Sequence, residues 1–348
     1  MIATSSSGSR SAAGILERVR AGVVIPAYRA RETVASVLAG LPSEVQDVFV
    51  VDDASPDATG DEVLALAHRG VRLIRHDRNL GVGGAVKTGY RAALEAGCDV
   101  IVKMDADGQM DPAFLPDLVR PLLTGEAGYA KGNRLWSLTA SRSMPRRRLL
   151  GNLFLSMATK AVSGYWNVLD PSNGFTAIRA DVLRRLDWVH VEDRYFFETS
   201  MLVELHLLRV PVRDVLMPAR YDGAASSLRL IPTAIDFSRR LLRSLLRRVA
   251  LEYFLLDFRP GTVFGLMGAL LALFGAIFGG YHWYRGEVTG VSTLPGTVMV
   301  AAVPFIVGVQ LLLQAVLLDM AEVRNFAPLP PLEPAASAGA SALSRREP

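Results

Sequence analysis

The chain has 348 residues, half of them hydrophobic, and a mean hydropathy of +0.26. That is long enough for two domains, or for one domain plus a membrane part, and the apolar balance leans towards lipid. A formal net charge of only +4 gives no sign of a nucleic-acid binder, and the single cysteine, Cys98, excludes an intramolecular disulfide or a cysteine-based zinc cluster.

Residues 1–20 are mostly Ser, Ala, Gly and Arg without an apolar centre, which reads as a disordered leader rather than a cleaved signal peptide. From Ala21 short apolar runs alternate with amphipathic ones. Val23–Ile25 is predicted as a strand that stops at Pro26, and Glu32–Leu41 as a helix. Val48–Val51 is a second strand, followed by a helix that begins at Asp57 under N-cap chemistry. Val71–Arg75 is a third strand, Gly83–Ala96 a helix and Val100–Met104 a fourth strand. This alternation predicts an α/β domain with a mostly parallel sheet covered on both faces, and ligands beyond the carboxyl ends of the strands. Residues 125–230 are less regular, with loops around Gly132–Arg134 and Asp170–Phe175 and a helix over Phe196–Leu208.

Thr233–Phe258 is predicted as a basic amphipathic helix for a membrane surface, with Arg239, Arg240, Arg243, Arg247 and Arg248 among leucines. Gly261–Tyr284 and Leu294–Leu318 are uncharged runs long enough for a ~30 Å hydrocarbon core. Phe278, Tyr281, Trp283 and Tyr284 supply an aromatic anchor at the first exit. Arginines crowd one side of the pair, so the positive-inside rule puts the N-terminal domain on the cytoplasmic face of the plasma (inner) membrane. The divisions expected are a leader (1–20), a domain (21–232), a juxtamembrane helix (233–259), two membrane helices (260–320) and a disordered tail (321–348). Gly261/Gly265 and Gly275/Gly279 have spacings that permit close helix contacts, within the pair or in a homo-oligomer.

The stretch Met104-Asp105-Ala106-Asp107-Gly108-Gln109 closes the fourth strand. Side chains alternate along extended backbone, so Asp105, Asp107 and Gln109 are expected to project the same way. Two hard carboxylates at that spacing suit Mg²⁺ or Mn²⁺; taken alone, the same residues make an ordinary polar turn. Asp52-Asp53 ends the second strand, where a carboxylate suits a nucleoside and Asp53 is the better placed. Gly81-Val82-Gly83-Gly84-Ala85-Val86-Lys87-Thr88 falls short of a P-loop and of a dinucleotide fingerprint, because Val86 stands where each requires glycine. Those glycines are expected to pack a helix start whose N–H groups face a phosphate.

Val24-Ile25-Pro26-Ala27-Tyr28, Val51-Asp52-Asp53-Ala54-Ser55-Pro56-Asp57, Asn79-Leu80-Gly81-Val82-Gly83-Gly84-Ala85 and the Asp105 stretch, in that order, resemble the family-2 glycosyltransferases of GT-A fold. The likeness is nearest to the dolichyl- and polyprenyl-phosphate sugar synthases, and covers roughly residues 21–230. It implies a nucleotide sugar of the GDP-mannose or UDP-glucose type, a divalent metal and a membrane-held polyprenyl phosphate. Carried over, Pro26, Ala27, Tyr28, Val51 and Asp53 hold the nucleoside, while Asp105, Ala106, Asp107 and Gln109 hold metal and diphosphate. Arg220 contacts the donor phosphates, and Arg134 with one or more of Arg146, Arg147 and Arg148 meets the acceptor phosphate. The family's Asn after Tyr28 is here Arg29, and its following acidic residue is Ala30, with Glu32 as a substitute. The processive Gln-x-x-Arg-Trp signature is absent, which argues for a single transfer rather than polymerisation, and the reaction expected is an in-line displacement with inversion. A hydroxyl acceptor such as diacylglycerol requires a base, for which Glu198 and Asp170 are candidates. A non-catalytic, membrane-tethered nucleotide-binding subunit is the other alternative.

Overall fold

The computed structural model describes residues 14–66, 70–134, 146–218, 230–256 and 259–332, with backbone alone for 146–154, 230–235, 254 and 256. The β-branched runs form strands as expected: β1 (Ala21–Ala27), β2 (Asp47–Asp52), β3 (Val71–Arg75) and β4 (Val100–Lys103). Between them lie α1 (Val34–Ala39), α2 (Thr59–Ala65) and α3 (Val82–Glu95). β1 does not stop at Pro26, which stays in the ladder opposite Val51. After β4 come α4 (Leu115–Leu123), β5 (Tyr129–Asn133), α5 (Arg146–Ser163), β6 (Thr176–Arg179), α6 (Ala180–Leu183), α7 (Phe197–Leu207) and β7 (Val212–Leu216).

Among the described residues the sheet has seven strands in the order β3-β2-β1-β4-β6-β5-β7. β1 pairs parallel with β2 and β4, β2 with β3, and β5 with β7; β6 alone runs antiparallel, between β4 and β5. Val23, Ile25, Val50 and Val102 of the strands share one buried core with Leu115, Leu118 and Val119 of α4. Unbroken apolar strands of this kind belong to a sheet buried on both faces.

Two expected disordered segments are ordered where they are described. Leu16 and Val19, in the leader, are buried in the core. In the tail, Leu329 N–H donates to Gly125 O (2.9 Å) and Leu332 N–H to Leu123 O (3.0 Å). Buried Arg179 donates from Nη1 to Pro330 O at 2.6 Å. Both segments carry leucines or valine that a sparse, polar-looking composition hides.

The chain divides into two compact units, one comprising residues up to Ser244 and from Phe326 onwards, the other Leu245–Asn325. The amphipathic helix α8 (Leu230–Val249) passes from the first to the second and continues as a π-helix, Ala250–Leu256. In the second unit α9 (Pro260–Thr289) and α10 (Pro295–Glu322) pack as a hairpin, each long and apolar enough to cross a membrane, with mean hydropathies of 2.1 and 2.2. Their backbones meet at glycines: a Cβ on Gly268 would lie 2.9 Å from Gly308 O, and one on Gly275 2.5 Å from Ala301 O. Gly275, of the expected glycine pairs, is used in this way, together with Gly268 and Gly308. Near the base of the hairpin buried Arg248 pairs with Asp319 (2.7 Å) and Glu252 (3.0 Å).

Candidate active site

Because β1 lies between β2 and β4, the loops leaving their carboxyl ends meet. Asp53 N–H donates to Ala27 O (2.9 Å), Arg29 N–H to Ser55 Oγ (3.1 Å) and Thr33 Oγ1 to Ala106 O (2.6 Å). Tyr28 stands exposed at the lip with the Arg29 guanidinium 5.4 Å from its ring centroid. Arg29 holds a left-handed φ of 54°, a conformation that suits the family's Asn better than Arg. Pro26, Ala27 and Val51 are buried strand residues, and Glu32 is exposed.

Asp53 is buried, and its carboxylate is engaged within the protein. Leu80 N–H and Gly81 N–H donate to its two oxygens, each at 2.8 Å, and His76 Nδ1 lies 2.8 Å from Oδ1. His76 Nε2 in turn reaches Thr88 Oγ1 at 3.0 Å. Asp53 thus ties the Asn79–Gly81 loop to the end of β2. Sequence reasoning passed over His76, whose only signal was its place at the end of β3.

Asp105, Ala106, Asp107, Gly108 and Gln109 form a turn and not a continued strand: Gly108 has φ 76° and Gln109 N–H closes onto Asp107 Oδ1 at 3.0 Å. Strand alternation therefore does not orient these side chains; the turn does, and Asp105, Asp107 and Gln109 still line one cleft with Arg134, Asn173 and Gly174. Removal from water and, secondarily, the Asp105 charge push the Asp107 carboxyl above its ordinary range, while the Gln109 amide opposes this. Three oxygen donors on one turn, two of them carboxylates, fit a hard divalent cation.

Beneath the turn lies a row of polar residues set by strand register, buried except for half-buried Asp214: Lys103 beside Thr176, Thr176 beside Lys131, Lys131 beside Asp214. Lys103 Nζ is 2.9 Å from Asp105 Oδ1 and 3.0 Å from Glu198 Oε1, at the first turn of α7. Lys131 donates to Asn173 O, and burial lowers its ammonium to about 8. Asp214 accepts from Leu169 N–H at 2.7 Å and Asn133 Nδ2 at 3.1 Å, and burial raises its carboxyl to about 6.

Both candidate bases are committed to cations. Asp170, buried, holds Arg134 Nε at 2.9 Å, and Glu198 holds Lys103. Arg146, Arg147 and Arg148 open α5, with side chains outside the described part, and Arg220 lies outside the described residues. The start of α3 is closed to a phosphate: Gly84 N–H donates to Asp193 O (2.9 Å), and Cβ atoms on Gly81 or Gly83 would lie 2.6 Å and 2.4 Å from backbone oxygens of Asp193 and Glu192. The glycines admit the 191–194 loop, which Lys87 secures through Val191 O and Asp193.

Residues 22–187 match the family model described as glycosyl transferase family 2. The undecaprenyl-phosphate mannosyltransferase of Micrococcus luteus is 35% identical over 188 residues, covering 53% of this chain and 76% of that protein. The UDP-N-acetylglucosamine–dolichyl-phosphate N-acetylglucosaminyltransferase of Methanococcus voltae is 29% identical over 213 residues, covering 56% and 84%. Glucosyl-3-phosphoglycerate synthase from Mycobacterium tuberculosis, solved with uridine diphosphate, shares the fold with a TM-score of 0.51 at 22% identity, over 71% of this chain and 86% of that one. With the family model matched and a relative 35% identical over 76% of its length, this chain belongs to glycosyl transferase family 2.

Proposed function

We propose that the protein transfers one sugar, with inversion, from a nucleotide sugar of the GDP-mannose or UDP-glucose type to a membrane polyprenyl phosphate. The observation that carries this is the pairing of both candidate bases, Asp170 with Arg134 and Glu198 with Lys103. A hydroxyl acceptor needs a free base; a phosphate monoester, with a second pKa near ~6, is already largely dianionic at neutral pH. It requires only orientation and partial charge compensation, for which Arg134 in the cleft lining and, by the family resemblance, one or more of Arg146, Arg147 and Arg148 are the candidates. The names of the relatives, which act on undecaprenyl and dolichyl phosphate, support the same acceptor class.

Asp105, Asp107 and Gln109 would hold Mg²⁺ or Mn²⁺, which offsets negative charge on the leaving diphosphate when bound. Tyr28, exposed at the lip, offers a ring face to the base, and backbone groups at the ends of β1 and β2 offer hydrogen bonds. By the family resemblance Arg220 adds a cation at the donor phosphates. The face of α8 carrying Arg239, Leu242 and Arg243 would meet anionic headgroups, with the glycosyltransferase domain on the cytoplasmic side of the membrane.

The test is incubation of the purified full-length chain with a panel of nucleotide sugars, Mg²⁺ or Mn²⁺ and undecaprenyl or dolichyl phosphate. A lipid-extractable monosaccharide phosphate from one donor is the expected result. No lipid-linked sugar from any donor would leave a nucleotide-binding subunit as the better account.

A further inference from the structure

We propose that Lys103 is a positioning residue for the transfer, its buried ammonium holding the Asp105 and Glu198 carboxylates on one cation at fixed places beside the cleft. The inference rests on the reading of Asp105, Asp107 and Gln109 as the metal-diphosphate site. Lys103 is 1% exposed, on the last residue of β4, with Asp105 Oδ1 at 2.9 Å and Glu198 Oε1 at 3.0 Å. An ammonium buried that deeply is costly without partners, and two carboxylates offset the cost. An apolar residue would fill the same strand position at no electrostatic cost.

The arrangement is closed by backbone. A Cβ on Gly174 would lie 2.5 Å from Asp105 Oδ2 and 2.5 Å from Lys103 Nζ, so the Asp170–Gly174 loop seats directly on the pair. The choice of a compact ammonium is notable in a chain whose 38 basic residues include only four lysines, leaving 34 arginines. Lys103 joins elements distant in sequence: the carboxylate turn after β4, the loop before β6, and the first turn of α7.

The role has a signature that loss of structure does not share. Lys103→Met keeps the length of the side chain and removes a positive charge beside the proposed metal carboxylates. Mn²⁺ alone, followed by electron paramagnetic resonance on the full-length protein, should bind roughly 3–10-fold more tightly, as expected for one unit charge removed at a few ångströms in a screened site. Turnover should fall at least ~10-fold with the nucleotide-sugar KM little changed, because the carboxylates are no longer held in place. Adding Glu198→Gln to Lys103→Met removes the uncompensated anion and should return Mn²⁺ affinity to the wild-type value.

Unchanged affinity and turnover in Lys103→Met, or parallel loss of both, would overturn the proposal. Should that variant fail to fold, Glu198→Gln decides: the cation then rests wholly on Asp105, Mn²⁺ should bind several-fold more weakly, and unaltered affinity would overturn the idea. Asp107→Asn separates the two levels. If it leaves Mn²⁺ binding intact, the reading of the cleft as a metal site fails; if it abolishes binding while the Lys103 variant behaves as wild type, only the role of Lys103 fails.

Discussion

Asp53 illustrates how a strand-end carboxylate can serve a site by shaping it. Its oxygens receive two backbone amides and His76, so Asp53→Asn would set an amide NH₂ against groups that already donate. Loss of a buried, charge-assisted set of this kind is expected to cost roughly 3 kcal/mol, read as a lowered unfolding midpoint together with weaker nucleotide binding. Asp214 gives a pH-dependent counterpart. Its carboxyl titrates at about 6 in the fold, above the ordinary range, so the native state holds this proton more tightly than the unfolded chain. Its contribution to stability is therefore full below the ordinary carboxylate range and is lost as pH rises through about 6. Unfolding midpoints measured across that window should fall with rising pH in the wild type, and the Asp214→Asn variant should lack this component of the slope.

At the scale of elements, the glycine-rich start of α3 is a docking surface for the 191–194 loop. Gly81 has φ 92° and its Cβ position lies 2.6 Å from Asp193 O, so Gly81→Ala meets both backbone strain and a clash. The expected result is destabilisation of about 2 kcal/mol or more, visible in thermal unfolding, with activity lost as the loop leading to Glu198 shifts. β1 to β4 were legible because long β-branched runs alternate with helices, and the carboxyl-end rule then located the loops that meet. β5, β6 and β7 were not: Tyr129–Asn133 carries Lys, Gly and Asn, and Thr176–Arg179 is four residues long, so tertiary pairing overrides weak local preference. The carboxylate turn was legible by composition but not by geometry, since strand periodicity ends at Lys103. The pairing of Lys103, Asp170 and Asp53 with distant partners has no local signal, because register across the sheet creates it.

For the molecule as a whole, the chain leaves the glycosyltransferase domain at Ser244 and rejoins it at Phe326. Phe326 then packs edge-on to Tyr165 and His206, at centroid distances of 6.1 and 5.2 Å, and residues 329–332 bond to the end of α4. Arg179→Met removes the side-chain clasp on Pro330 and should lower the unfolding temperature by roughly 4 °C or more, on the size scaling of domains. On the proposed reading the acceptor brings its own negative charge and needs no enzyme base. The decisive experiment offers a polyprenyl phosphate, the matching polyprenol and diacylglycerol together in one nanodisc, with donor and Mn²⁺, and identifies the product by mass spectrometry. Sugar on the polyprenyl phosphate alone is the predicted result; sugar on either alcohol would contradict it.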